Sequence, residues 1–138
     1  MAHSIAEALI RQHEGVRYTL YECPAGFWSI GVGRNLETRG ISEDECELML
    51  SNDIKLCVAD LSTFPWFNTL SENRRAALID LRFCVGGGGF RKYKKMLAAI
   101  EDKDFAEAGR QIMDSQMARA TPGGKRRCQE LARLMEQG

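Results

Sequence analysis

The sequence predicts a mainly helical α+β domain, with one small antiparallel sheet near the N-terminus and only helices after it. Aromatic and β-branched residues concentrate between Tyr18 and Gly33, whereas apolar residues after Ser42 recur at the 3.6-residue spacing of helices. The 138 residues contain no internal repeat, linker or low-complexity tract. We therefore expect a single domain over residues 1–138, long enough to bury a core.

The N-terminal part is expected to form one helix and then the sheet. Residues 4–14 have an amphipathic helical pattern, and Gly15 suits the end of a helix. The segments 18–21 and 27–33 have the composition of strands, and Pro24-Ala25-Gly26 between them is a turn signal. The sequence therefore predicts a hairpin directly after the first helix.

Five further helices are expected after residue 41. Ser42-Glu43-Asp44-Glu45 is a capping box that opens a long helix, which Pro65 is expected to end. A buried central helix is predicted over residues 71–85, followed by a break at Gly86–Gly89. Thr121–Gly124 is predicted as a turn before the last helix. The last three helices are defined by the apolar sets Tyr93, Met96, Leu97, Ile100; Phe105, Ala108, Ile112, Met113; and Cys128, Leu131, Ala132, Met135.

The formal net charge is zero, but the charges are unevenly distributed. Residues 1–73 carry 5 Lys or Arg and 11 Asp or Glu, whereas residues 74–138 carry 14 and 8. The second part is thus expected to present a basic face, which can attract an anionic cell wall, anionic lipid or nucleic acid. Only this charge distribution would support binding to nucleic acid, so a nucleic-acid partner is not expected. For Arg91, Lys92, Lys94 and Lys95 by themselves, a solvated helix face is the favoured interpretation.

The cysteines and the hydropathy pattern indicate a protein made in the cytoplasm. No apolar run is long enough to span a bilayer, and the first ten residues lack the basic start of a signal peptide. An odd number of cysteines without Cys-x-x-Cys or Cys/His clusters favours reduced thiols over disulfides or a metal site. The cysteines are Cys23, Cys46, Cys57, Cys84 and Cys128.

Glu14 is the first candidate for catalysis. It stands at the last turn of the first predicted helix, where the partial negative charge of the helix end favours the protonated carboxyl group. Glycosidases need such an acid to protonate the leaving oxygen. Because most glutamates at helix ends are surface residues, this position alone does not assign the role.

The segment from Glu14 to Gly33, E-G-V-R-Y-T-L-Y-E-C-P-A-G-F-W-S-I-G-V-G, resembles the signature of phage-type lysozymes, glycoside hydrolase family 24. That signature runs E-G-x-R, Y-x-D, then G-x-x-T-I-G-x-G. The resemblance covers nearly the whole chain in order, since it continues through residues 40–45, 74–83, 85–86, 89–90, 95–97 and 121–122.

The resemblance implies a lysozyme-like fold, with a sheet lobe and a helical lobe joined by the long helix and a cleft between them. It implies an enzyme that cleaves the β-1,4 bond between N-acetylmuramic acid and N-acetylglucosamine of peptidoglycan without a metal or cofactor. We expect a monomer without stable membrane insertion, released to the wall through a holin-type protein during host lysis. The alternative is a catalytically weak peptidoglycan-binding domain of a phage tail or bacteriocin-like toxin.

The resemblance also implies roles for individual residues. The catalytic acid falls on Glu14, the family's water-handling aspartate on Cys23, and its water-holding threonine on Ser29. The family's saccharide contacts fall on Asn35, Phe83, Tyr93 and Gln111.

Cys23 is the departure from the family that matters for chemistry, because a carboxylate is ionised at pH 7 and an ordinary thiol is not. Three interpretations remain open. Cys23 is a working thiolate, acting as base or nucleophile and acidified by a cation such as Arg34; or Glu22 supplies the carboxylate; or the site is partly disabled. The first is favoured, because Cys23 lies in a polar turn at the expected catalytic position. Glu22 is the weaker candidate, because adjacent residues of an extended strand point to opposite faces.

Overall fold

The chain begins with one helix and continues into a three-stranded antiparallel sheet in the order β1-β2-β3. The computed structural model describes all 138 residues. The first elements are α1 (Ala2–Glu14), β1 (Arg17–Glu22), β2 (Trp28–Gly31) and β3 (Arg34–Asn35). The predicted helix, turn and hairpin are therefore confirmed, and the short third strand extends the sheet.

All later secondary structure is helical, so the predicted mainly helical α+β class is confirmed. The chain divides within its second helix into two compact units, residues 1–48 and 49–138. No helix of the chain is both long and apolar enough to cross a membrane. The helices are α2 (Glu43–Leu61), a 3₁₀ turn (Phe67–Thr69), α3 (Glu72–Arg91), α4 (Lys94–Glu101), α5 (Phe105–Met113), α6 (Gln116–Ala120) and α7 (Pro122–Gln137).

The capping box at the start of α2 forms as predicted. The Ser42 N–H donates to Glu45 Oε1 at 2.8 Å, and the Glu45 N–H donates to Ser42 Oγ at 3.4 Å. The far end of this helix was predicted incorrectly. It ends at Leu61 rather than at Pro65, because the chain turns there through hydrogen bonds such as Phe64 N–H to the Leu61 carbonyl at 3.0 Å.

Helices α3 and α7 are the two largest contributors to the core of residues 49–138. Ala77, Leu78 and Leu81 of α3 are buried, which confirms that this helix contributes to the interior. The apolar set predicted for the last helix is buried completely: Cys128, Leu131, Ala132 and Met135. Phe67 of the 3₁₀ turn and Phe90 near the end of α3 are also buried, and α4 and α5 add Met96, Ile100 and Ile112 to the same core.

Two predicted breaks were wrong in detail. In α3 only Gly86 leaves the helical conformation, with φ 78° and ψ 170°, whereas Gly87 to Arg91 return to it. The predicted turn at residues 121–124 is instead the start of α7. Thr121 Oγ1 accepts the Gly124 N–H at 2.9 Å, and Pro122 occupies the first helical position, where its missing N–H costs nothing.

Candidate active site

Glu14 is the last residue of α1, and its carboxyl group lies against the backbone of Gly33. A Cβ placed on Gly33 would lie 2.8 Å from Glu14 Oε2 and 2.9 Å from its Cδ. Gly33 also has φ 67°, a conformation that favours glycine. Within residues 1–48 Glu14 forms no ion pair, so the loop after β2 is its observed packing partner.

Cys23 lies in the turn between β1 and β2, half-buried. Its N–H donates to the Phe27 carbonyl at 2.8 Å, and its sulfur accepts the Phe27 N–H at 3.4 Å. The Phe27 N–H is the main cause that lowers the pKa of the Cys23 thiol below its ordinary value, and hydrogen bonds from Ala25, Ser29 and Gly26 add to it. Since a backbone N–H stabilises the negatively charged sulfur, the turn favours the thiolate.

A cation is not the cause of this shift, which corrects the expectation for Arg34. The Arg34 guanidinium is held by Glu45, with Nη1 to Oε1 at 2.8 Å and Nη2 to Oε2 at 2.7 Å. It also donates to the Gly40 carbonyl at 3.2 Å. The Arg34 side chain holds the pKa of Glu45 well below its usual range, so this pair is ionised at neutral pH. It ties β3 to the first turn of α2.

Ser29 is the buried polar residue nearest to this turn, with 2% of its surface exposed. Its hydroxyl donates to the Phe27 carbonyl at 3.3 Å, and the nearby Ser29 side chain is one of the smaller causes that lower the pKa of the Cys23 thiol. In the sheet register Ser29 pairs with Tyr21 on one side and Asn35 on the other. Paired residues share a face, so one face carries Tyr21, Ser29 and Asn35, and Cys23 follows in the turn two positions after Tyr21.

Glu22 lies on the other face. It pairs with Trp28, which is the next pair along the two strands after Tyr21–Ser29. A Cβ placed on Gly26 would lie 3.8 Å from Glu22 Oε1, so the carboxylate lies over the turn rather than beside Ser29. The geometry therefore agrees with the expectation from the sequence that Glu22 is the weaker candidate for the second catalytic group.

Asn35 already uses its side-chain oxygen. Oδ1 accepts the N–H groups of Glu37 at 3.0 Å and Thr38 at 3.1 Å, which turns the chain after β3. Only the amide nitrogen is left to donate to a ligand.

Residues 49–138 contain a cavity of about 660 Å³ that brings together two of the three predicted saccharide contacts of this unit. Tyr93 and Gln111 line it, and Gln111 Nε2 donates to Glu107 Oε1 at 2.7 Å. Burial raises the pKa of the half-buried Tyr93 hydroxyl. Phe83 is 46% exposed and is not part of this lining.

Sequence reasoning missed three lysines of the cavity wall, Lys92, Lys94 and Lys95. They had been interpreted as a solvated helix face. Their position on either side of Tyr93, a predicted contact, was the available signal. The wall also contains Met117, whose sulfur lies 3.2 Å from the sulfur of Cys84. All five cysteines are free.

Known proteins match this chain over most of its length. It is 23% identical to the probable T4-type lysozyme 1 of Dictyostelium discoideum over 92% of both chains. It is 31% identical to an endolysin of Acyrthosiphon pisum secondary endosymbiont phage 1, covering 86% of this chain and 80% of that one. The probable T4-type lysozyme 2 of Dictyostelium discoideum is 25% identical over 83% and 85%. Among protein families, phage lysozyme matches residues 11–134. The chain belongs to the phage lysozyme family.

Proposed function

We propose that this lysozyme-type protein is a muramidase that hydrolyses the β-1,4 bond between N-acetylmuramic acid and N-acetylglucosamine during host-cell lysis. The observation that carries the proposal is the turn around Cys23. A thiol whose negatively charged form is stabilised by the Phe27 N–H lies beside the buried hydroxyl of Ser29. Glu14 belongs to the same unit, with its carboxyl group held against Gly33.

Glu14 acts as the general acid. Its carboxyl proton goes to the glycosidic oxygen as the bond from that oxygen to the anomeric carbon breaks, so the leaving sugar departs as an alcohol. The position of Glu14 at the end of α1, with its carboxyl group held against the Gly33 backbone, supports this role.

Cys23 and Ser29 handle the attack from the other side. As a base, the Cys23 thiolate takes one proton from water while the water oxygen bonds to the anomeric carbon, and Ser29 orients that water. As a nucleophile, the Cys23 sulfur bonds to the anomeric carbon as the glycosidic bond breaks. Water then attacks that carbon, the Glu14 carboxylate takes its proton, and the carbon–sulfur bond breaks to release the Cys23 thiolate. Mass spectrometry of the protein under turnover distinguishes the two, since only the second adds a sugar to Cys23.

Asn35, Tyr93 and Gln111 are proposed as contacts to the sugar rings and their N-acetyl groups. Tyr93 and Gln111 offer an aromatic face and an amide in one cavity, which suits a saccharide. Phe83 offers an exposed aromatic surface outside that cavity. We further propose that the protein acts as a monomer and reaches the wall through a holin-type protein.

The decisive experiment is lysis of chloroform-treated Gram-negative cells by purified protein, with release of reducing sugar ends as the chemical readout. Glu14→Gln should lower the rate by roughly 10²–10⁴, the usual contribution of a general acid, while the protein stays folded. Near-parental activity of that variant would rule out the assignment of Glu14.

The second candidate function is a binding domain with little catalysis. It is favoured by one observation, the thiol at the position of the family's carboxylate. Sedimentation with purified peptidoglycan, without release of reducing ends by the parent protein, would support this alternative over the muramidase.

A further inference from the structure

Helix α3 is divided by Gly86 into two arms, residues 72–85 and 87–91, and the cavity near Tyr93 is built across this division. Val85 ends the first arm and Gly89 belongs to the second, and both line the cavity. Lys92 and Tyr93 follow the second arm directly. The angle at Gly86 therefore sets the separation of two walls of the cavity.

One carboxylate binds both arms. Asp60, near the end of α2, accepts Arg82 Nε at 2.6 Å through Oδ2. It also accepts Arg91 Nη1 at 3.0 Å through Oδ2 and Arg91 Nη2 at 2.7 Å through Oδ1. Arg82 precedes Gly86 and Arg91 follows it, so Asp60 bridges the kink from outside α3.

The second arm is fixed further by Arg91 itself. Its Nη1 donates to the Gly87 carbonyl at 3.1 Å, and its guanidinium lies 5.2 Å from the centre of the Phe64 ring. The Arg91 and Arg82 side chains together lower the pKa of Asp60 to about 2, so the bridge is charged throughout the neutral range. Charge-assisted hydrogen bonds of this kind are stronger than neutral ones and fix direction as well as distance.

We propose that Asp60 is a positioning residue, which holds the two arms of α3 at the angle that shapes the Val85–Gly89–Tyr93 wall for the glycan. The inference rests on the proposed function to the extent that this cavity binds substrate. Asp60 acts on the wall through Arg82 and Arg91 and lines no part of the cavity itself.

Asp60→Asn is the test, because it keeps the size of the side chain and removes its charge. With soluble glycan fragments we expect KM to rise about tenfold, because the variant loses charge-assisted hydrogen bonds. The kcat value should change less than about twofold. Asp80→Asn is the matched control. Asp80 lies on the first arm of α3 and pairs with Arg127 at 2.7 Å, away from the kink. That variant should leave KM unchanged.

Hydrogen exchange supplies a readout that does not depend on catalysis. In Asp60→Asn the backbone N–H groups of residues 87–93 should exchange at least about tenfold faster than in the parent, while those of residues 72–85 change little. Should Asp60→Asn not fold, Arg91→Gln releases the second arm alone and should produce the same local increase.

Equal KM changes in Asp60→Asn and Asp80→Asn, or unchanged exchange at residues 87–93, would overturn the proposal. Its failure is distinguishable from failure of the proposed function. A parent protein that cleaves no glycan contradicts the muramidase, whereas the exchange experiment still decides whether Asp60 holds the second arm.

Discussion

The carboxyl group of Glu14 and the backbone of Gly33 are packed so closely that no side chain fits between them. One belongs to the end of a helix and the other to the loop after β2. Only a residue without Cβ allows this approach, so the position of the proposed acid depends on a glycine that carries no chemistry of its own.

Gly33→Ala should therefore reduce lysis strongly. Its Cβ would meet Glu14 at 2.8 Å and displace the carboxyl group, and a misplacement of about 1 Å can cost on the order of 10²-fold in rate. The matched control is Gly40→Ala. Gly40 has nearly the same φ, 66° against 67°, but a Cβ there meets nothing within 4 Å. Both variants should lose similar stability, roughly 1 kcal/mol from backbone strain; equal loss of activity in the two would contradict the prediction.

Cys23 should be the thiol on which activity depends. Because its pKa is lowered by the Phe27 N–H, iodoacetamide should inactivate the protein at pH values below the ordinary thiol pKa of about 8.5, and more slowly as the pH falls further. Cys23→Ser should lose most activity, because a hydroxyl hardly ionises, whereas Cys23→Asp should retain it. Cys46→Ser, at an exposed thiol, is the control. Should Cys23→Ser lyse cells at the parental rate, Glu22→Gln is the next variant to measure.

The Arg34–Glu45 pair should contribute to stability at neutral pH and lose that contribution in acid. The folded protein holds the Glu45 pKa below its value in the unfolded chain. The contribution is therefore complete above the unfolded value of about 4.3 and is lost progressively as the pH falls from there towards the lowered pKa of the folded protein. Glu45→Gln should lower the melting temperature at pH 7 and by progressively smaller amounts as the pH is reduced from about 4.3 towards 2.5. Glu7→Gln, in an exposed pair with Arg11, should change neither melting temperature; a pH-independent effect at Glu45 would refute the prediction.

The lysines of the cavity wall should make lysis sensitive to salt. The Debye length is about 8 Å at 0.15 M, so attraction between exposed lysines and an anionic wall weakens as salt rises. The double variant Lys92→Gln/Lys94→Gln should flatten the dependence of the lysis rate on salt between about 0.02 and 0.3 M. Lys55→Gln, on α2 outside the cavity, should not. An unchanged salt profile in the double variant would exclude these lysines from targeting.

Local signals in the sequence predicted most of the fold. Ser42 and Glu45 cap α2 as expected because a capping box is complete within four residues. The error at Thr121–Gly124 arose from the same kind of signal, since Pro and Gly occur both in turns and in the first turn of a helix. Composition alone does not distinguish the two.

The site was less accessible to sequence reasoning. The sequence indicated Glu14, Cys23 and Ser29 as candidate site residues. It did not indicate which group lowers the pKa of the Cys23 thiol. A cation was expected, whereas the acidifying group is a backbone N–H whose direction is set by the turn. The Asp60 bridge was also invisible, because its arginines are 22 and 31 residues away.

Glu45 Oε1 accepts from two donors, Arg34 Nη1 and the Ser42 N–H, each at 2.8 Å, and the Ser42 hydroxyl oxygen also lies 2.8 Å from it. One oxygen atom thus joins the start of a helix to a strand of the sheet. A mutation of Arg34, Ser42 or Glu45 alters the hydrogen bonding of the other two residues, so these three positions cannot change independently in evolution. Across an alignment of close relatives, positions 34, 42 and 45 should covary as a set, with losses of the arginine accompanied by changes at the other two.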